Sequence, residues 1–499
     1  MLPQKIREIL FHPQTFLFLG IFFTIRLVSF FLAPFPLVLT LIGLSFLLFF
    51  GYTFFKNSNL ALSLVLAEIL LGGSGLLIEI FSLSIRTWLI VLFLVFSLVK
   101  QIQKRHIEFI LSSRFYYILA GFVGVLLFAV VNGLLQGNNP KNIFQDIFPY
   151  IFLALLPFFS NYFKEKENQQ FFFRLVVAFI FGSAIFALFT FIIFSSGIVV
   201  LQEPYYKWIR DVAGGKITDL QSGFFRIVFP EHLLIPPLTL ILSSLFIQHK
   251  NVKKYIFPLL ICCLIILVLN LSRGYLLAVA VGFFPLLYKQ PWRRWLVAGT
   301  VVAVGYISIF CSTYFIASHG RSLGLEVFGV RIKSLVMPYT EYSSNTRLLL
   351  LQPIKEKIAI HPLFGSGLGS TIPFPDPVTG QITQWPHYDW GYLELVAEFG
   401  GFGFLIYGIF LTASFGIIFK ALKNEVIPVF VGTGLLAGLI AFLVMNITAP
   451  ALFHFFGIFF LTLALSLALH QTGFWEKIKE RYLPFFPVFC LGSEVMFFI

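Results

Sequence analysis

Apolar runs of about 16–25 residues recur along the chain, each long enough for a helix to cross the ~30 Å hydrocarbon core of a bilayer. They predict spans at 15–33, 35–55, 60–83, 85–99, 115–135, 145–163, 171–199, 227–248, 255–270, 272–288, 295–317, 390–419, 427–447 and 450–470. Pro34, Pro36 or Ser84 can turn the chain back inside the membrane, so the expected architecture is an all-α polytopic bundle of 12–14 transmembrane helices. The first run, 15–33, is a full span followed at once by another, which reads as a retained anchor rather than a cleaved leader. The tail 484–499 is apolar but short and carries Glu494, which suits the interface better than a span.

The charges between the runs orient them. If the N-terminus, with Lys5 and Arg7, is cytoplasmic, so are 56–59 (Lys56), 100–114 (Lys100, Lys104, Arg105, Arg114), 164–170 (Lys164, Lys166) and 249–254 (Lys250, Lys253, Lys254). The same side takes 289–294 (Lys289, Arg293, Arg294), 420–426 (Lys420, Lys423) and the tail (Lys477, Lys479, Arg481). Every short basic loop then lies inside, as the positive-inside rule requires. Both termini are expected in the cytoplasm, and two long loops, 200–226 and 318–389, face outward.

A connection as long as 318–389 greatly exceeds the usual ~4–6 residues, and such loops are functional or disordered. This one is not low-complexity. It holds a predicted helix, "SSNTRLLLLQPIKEKIAI", with Ser344 or Asn345 as N-cap, and then the Gly/Pro-rich "HPLFGSGLGSTIPFPDPVTG". The chain is expected to divide into N-terminal helices (1–199), helices with the first outer loop and a short hairpin (200–317), the large outer loop (318–389), and C-terminal helices with a tail (390–499).

Composition sharpens this picture. The chain is 58% hydrophobic and 11% charged, against roughly 25% charged in a soluble domain. Its 66 phenylalanines suit lipid-facing surfaces. A net charge of +13 without a basic face or nucleic-acid motif points to topology and to anionic lipids or substrates, not to nucleic acid. The four cysteines form no disulfide framework and no metal spacing.

Candidate chemistry collects on the outer face. Only "LSRG" separates the spans 255–270 and 272–288, which puts Arg273 at an outward hairpin tip. Arg226, in "SGFFRIVFPEH", stands where the first outer loop enters a span, and Arg347, in "NTRLLLL", lies on the loop helix. Arginine stays charged and offers a planar fork of donors, so several at a membrane boundary suit a diphosphate. The bland alternative is that each snorkels to lipid head groups. His387 and Asp389, in "QWPHYDWGYLELVAEFGGFG", are candidate general bases for an acceptor hydroxyl, against an interfacial histidine between tryptophans. Glu394 and Glu398 fall on one helix face and either line a cavity or bond to local backbone; Glu231 is a weaker cavity-lining candidate. "GSGLG" at 365–369 makes either an anion-binding nest or a simple turn. Arg26 and Glu68 are a candidate buried pair.

Three stretches resemble the O-antigen ligase and polymerase superfamily of integral-membrane glycosyltransferases. "LNLSRGYLLAVAVGFFPLL" looks like its Ser-Arg-Gly hairpin, and "NTRLLLLQPIKEKIAIHPLFGSGLGS" like its arginine-bearing loop helix with a Pro-x-x-Gly-x-Gly run. "HYDWGYLELVAEFGGFGFLIYGIF" looks like its return segment, Tyr-Leu followed by Gly-x-x-Gly. The resemblance is specific over about 255–420 and implies the membrane C-type glycosyltransferase class, acting without metal or other cofactor. The donor would be an undecaprenyl-diphosphate-linked glycan whose diphosphate is held by Arg226, Arg273 and Arg347. A hydroxyl of a glycan or lipid acceptor would attack with inversion, in the bacterial cytoplasmic membrane and on its outer face. One departure stands out: ligases of the family carry His-Asn just before Tyr-Leu, whereas here Asp389 stands three residues before Tyr392 and His387 lies two further upstream. That favours a polymerase or exopolysaccharide relative over a lipid A-core ligase. The alternative class is a lipid-linked oligosaccharide flippase, against which stand the dissimilar halves and the polar residues gathered in one outer loop.

Overall fold

The computed structural model describes residues 2–81, 83–103, 114–220, 222–337, 342–375, 382–386 and 388–470. Among them, ten helices are long and apolar enough to cross a membrane, from Ile6–Leu32 to Gly391–Lys423. Four shorter apolar helices, Ser58–Leu71, Arg273–Leu287, Val429–Met445 and Phe455–Leu469, complete the bundle. Each of the fourteen predicted spans falls on one of these helices. One of the short ones sits inside: most of Val429–Met445 is buried, packed against Ile235–Gln248 and the hairpin helix Arg273–Gly282. A helix surrounded by protein need not match the bilayer thickness, because its ends meet other helices rather than head groups. The protein is therefore an all-α polytopic membrane protein.

The structure corrects several boundaries. The span predicted at 60–83 ends at Leu71; Gly73 and Gly75 then turn at φ +61° and +84°, and Glu79–Ile80 pairs with Leu83–Ser84 in a small antiparallel hairpin. Ser344 and Asn345 do not cap the loop helix, which starts earlier and spans Tyr342–Ile360. Two further hairpins pair Lys216–Asp219 with Phe225–Val228 and Ile372–Pro375 with Ile382–Trp385, both in or at the edges of the long connections 200–226 and 318–389. Hydropathy does not show them, because each strand has only four residues. The basic tail and the apolar segment 484–499 lie outside the described residues.

The expected Arg26–Glu68 pair is not formed. Arg26 binds Glu231 at 2.9 Å, with a second guanidinium nitrogen on the Leu71 carbonyl at 2.8 Å. Glu68 is taken instead by Arg86 at 2.6 Å, and Arg86 also reaches the Gly73 carbonyl at 2.8 Å. Both arginines lie over phenylalanine rings, Arg26 at 3.4 Å from the Phe22 centroid and Arg86 at 4.4 Å from Phe455. Away from water each carboxylate needs a partner for its charge, and packing gives Arg26 to Glu231 and Arg86 to Glu68.

The long helix Gly391–Lys423 is broken at Gly400, which has φ +69° and ψ 179°. A break exposes backbone amides that must find acceptors inside a membrane. Here Gly401 N–H donates to the Pro362 carbonyl at 2.8 Å and Phe402 N–H to Leu363 at 3.1 Å. The segment after the loop helix thus runs alongside the break. It passes so close that a Cβ on Gly400 would strike the Leu363 carbonyl, and one on Gly365 the Glu398 carbonyl.

Candidate functional site

The hairpin forms as the sequence predicts. Lys253–Asn270 ends with Leu271 in the left-handed region (φ +43°), its N–H on the Leu267 carbonyl at 3.0 Å. Ser272 is extended, and Arg273 is the first residue of the next helix, Arg273–Gly282. Arg273 is half-buried at a helix N-terminus, where unsatisfied amides and the helix dipole favour an anion. Arg226 is brought to the same place. It sits in the strand Phe225–Val228, and its Nε donates to the Asn270 carbonyl at 2.7 Å, three residues before Arg273. Beneath, the Asn270 side chain lies 3.4 Å from the buried His232 Nδ1, which also accepts the Phe229 N–H at 3.3 Å. Glu231, beside it, is 2% exposed and held by Arg26, a role its candidacy as a cavity-lining group did not include.

The return segment meets the hairpin across the turn 446–450. A Cβ on Gly274 would lie 3.2 Å from Thr448 Oγ1, and one on Gly391 only 2.6 Å from the Asn446 carbonyl and Oδ1. Two helix N-termini, one led by Arg273 and the other following Asp389 and Trp390, therefore pack on one short turn. Trp390 Nε1 donates to the Arg347 carbonyl at 2.8 Å, which ties the loop helix to the same region. Arg347 is half-buried, and its Nε is shielded with no hydrogen-bond partner among the described residues. Asp389 is half-buried in the left-handed region, φ +55°. Tyr392, the tyrosine of the Tyr-Leu motif, bonds through its hydroxyl to the Leu443 carbonyl at 2.8 Å, a fastening role. His387 lies outside the described residues.

Under this surface is a small second core: Leu350 and Ile354 of the loop helix, Ile372 and Phe374 of the outer hairpin, Tyr388 and Ala397. Glu394 and Glu398 are both 4% exposed just behind it. Glu394 accepts the Tyr388 N–H and feels the charge of Asp389. Glu398 accepts the Ser370 N–H and shares a hydrogen bond with the Asp146 carboxyl. Two carboxyl groups can bond only by sharing a proton. Asp146 was passed over in the sequence, although an aspartate inside the apolar run 145–163 was a visible signal. Lys357 of the loop helix faces the group; burial pushes its amine down from its usual range, opposed by the Glu398 charge. Burial also raises the Tyr388 phenol, whose oxygen lies 2.6 Å from Ser370 Oγ.

The "GSGLG" run is not an open anion nest. The amides of Ser366, Gly367 and Leu368 donate to Ala397, Glu398 and Ala129 carbonyls at 2.8, 3.0 and 3.0 Å. Gly369 N–H donates to Asp146 Oδ2 at 2.8 Å, so the one anion it holds belongs to the protein. Among the described residues, no group of three or more His, Cys, Asp or Glu is arranged to hold a metal ion.

A helical, many-pass membrane protein is the class that the fold defines. Residues 258–408 match the family model described as O-antigen ligase. The matched residues run from the hairpin helices through the large loop into the broken helix, and over them the chain is similar to that family. The match covers less than half of the chain, and no curated protein matches it. The described residues are those of a many-pass helical membrane protein, and residues 258–408 are what it shares with the O-antigen ligase family model.

Proposed function

We propose that the protein transfers or polymerises oligosaccharide from an undecaprenyl-diphosphate-linked donor on the outer face of the cytoplasmic membrane. The observation that carries this is the bond from Arg226 to the Asn270 carbonyl, which sets a second guanidinium beside the hairpin of Arg273. Sidedness rests on the one-sided basic loops. The donor's diphosphate lies against Arg226, Arg273 and Arg347 and the N-terminus of the hairpin helix, with its polyprenyl tail in lipid. An acceptor hydroxyl attacks the anomeric carbon, the bond from that carbon to the phosphate oxygen breaks, and the configuration inverts. The hydroxyl proton passes to Asp389 or His387, and undecaprenyl diphosphate leaves. Most of the rate enhancement is electrostatic, because guanidinium groups held in place neutralise the leaving group without a metal. Asp389 three residues before Tyr392, where ligases of the family carry His-Asn, supports polymerisation over ligation.

The test is purified protein with an undecaprenyl-diphosphate oligosaccharide. A product ladder means polymerase, and single transfer to a lipid or glycan acceptor means ligase. Movement of the lipid without a new glycosidic bond would overturn the proposal in favour of a flippase.

A further inference from the structure

A cavity of about 180 Å³ lies where the two outer loops leave the bundle, lined by Ser222, Gly223, Ser318, His319, Arg321 and Ser322. Both of its walls are tight corners. Ser222 and Gly223 have φ of +53° and +77°, and His319 and Gly320 have +53° and +79°. The walls meet at the backbone: a Cβ on Gly223 would lie 2.6 Å from the Ala317 carbonyl. Next to them, Phe224 stacks on Tyr314 with ring centroids 5.4 Å apart, which fixes one wall to the other.

Serine chemistry is spent on building the second wall. Ser318 Oγ donates to the Ser322 carbonyl at 3.0 Å and accepts the Ser322 N–H at 3.0 Å. Ser322 Oγ accepts the Gly324 N–H at 3.0 Å. The His319 and Arg321 side chains, by contrast, are exposed and make no hydrogen bond or ion pair to the described residues. Among the described lining residues none is acidic. A small, hydroxylated cavity with a guanidinium and an imidazole at its rim, and no carboxylate among its described lining residues, is complementary to a polar ligand that carries negative charge.

Its place in the fold says which ligand. Ser222 and Arg226 belong to one β-hairpin and are at most ~14 Å apart along the chain. A glycan whose diphosphate lies at Arg226 has this cavity within reach of its next sugars. We propose that the cavity is a subsite for an acidic sugar, one bearing a carboxylate, phosphate or sulfate group, lying beyond the sugar joined to the diphosphate. This rests on the proposed glycan transfer. An anionic lipid head group offers the same charge, but the cavity is walled by protein on two sides, and a lipid would sit at one edge.

The test measures binding alone, so that it stands apart from transfer. Full-length protein in phosphatidylcholine nanodiscs is titrated with a glucuronate-containing trisaccharide and with its all-neutral glucose counterpart. The acidic saccharide should bind about 10-fold more tightly, the scale of one charge-assisted hydrogen bond. Arg321→Gln should remove that advantage, His319→Gln should reduce it, and added salt should weaken it. Equal affinity for the two saccharides, or an advantage that survives Arg321→Gln, overturns the subsite. So does competition by phosphatidylglycerol nanodiscs that abolishes the preference, which would assign the cavity to lipid. Absence of glycan transfer in a parallel assay, with the preference intact, would count against the proposed function and leave the subsite standing.

Discussion

Arg226 Nε and the backbone carbonyl of Asn270 are 2.7 Å apart, a bond that joins the strand Phe225–Val228 to the base of the Ser-Arg-Gly hairpin. The bond uses the geometry of a guanidinium: one nitrogen fastens the side chain while the fork stays planar and charged. A lysine can fasten or present its charge, but not both. Arg226→Lys should therefore reduce transfer by about 10²-fold, the cost of losing one placed donor at developing charge. Single-turnover transfer by purified protein measures it; near-wild-type turnover would detach Arg226 from the chemistry.

Arg273→Ala and Arg347→Ala should abolish glycan transfer while membrane levels stay normal. Lysine should rescue neither, since a point charge cannot fork. Incubation with EDTA should leave wild-type turnover unchanged, because the guanidinium groups do the work of a metal. Comparison of Asp389→Asn with His387→Ala assigns the base: the variant that loses turnover at saturating acceptor marks it, and loss in neither would take the return segment out of the reaction.

The buried pair Arg26–Glu231 is predicted to matter for stability. Glu231→Ala leaves a guanidinium at 4% exposure without its counter-charge, a loss on the order of 3–5 kcal/mol. Thermal unfolding in detergent should show a clearly lowered midpoint. Replacing both partners by apolar residues should recover much of it, and a double variant no better than the single one would contradict this account.

How far the sequence carried depended on the range of each interaction. Fourteen helices were legible because lipid forces every spanning segment to declare itself in consecutive apolar residues. The Arg273 hairpin was legible for the same reason, since the two residues between the helices, Leu271 and Ser272, leave little choice. Pairing was not. Arg26 finds Glu231, 205 positions away, while the nearer Glu68 goes to Arg86. Only packing decides such partners. The break at Gly400 was half-legible: two adjacent glycines were visible, but the carbonyls of Pro362 and Leu363 that accept the freed amides come from another segment. Asp146 was visible as a charge in an apolar run, yet its partner Glu398 lies on a distant helix.

Gly400 and Gly365 should resist substitution. Both have positive φ, +69° and +71°, and both face backbone that cannot swing aside. Gly400→Ala combines about 1–3 kcal/mol of backbone strain with a collision at the Leu363 carbonyl. Folded yield in detergent should fall sharply. Gly408→Ala, on the same helix and with open space around it, is the control that should cost nothing measurable.

The acid pair Asp146–Glu398 makes the sharpest prediction, because asparagine and alanine should differ. Asp146 accepts the Gly369 N–H at 2.8 Å and shares a proton with Glu398. An asparagine keeps both contacts: its carbonyl oxygen accepts from Gly369 and its amide donates to Glu398, so no shared proton is required. Asp146→Asn should keep stability and transfer near wild type. Alanine removes both contacts, strands the Glu398 carboxyl and frees the 365–370 segment that holds Tyr388 through Ser370. Each buried polar group left unpaired costs about 1–3 kcal/mol, more when charged, so the loss should reach several kcal/mol. Transfer should fall with it, since Tyr388 precedes Asp389. Unfolding midpoints and turnover of the two variants side by side decide the matter. If asparagine fails as badly as alanine, the shared proton does more than hold the loop in place; if alanine is tolerated, the pair holds nothing.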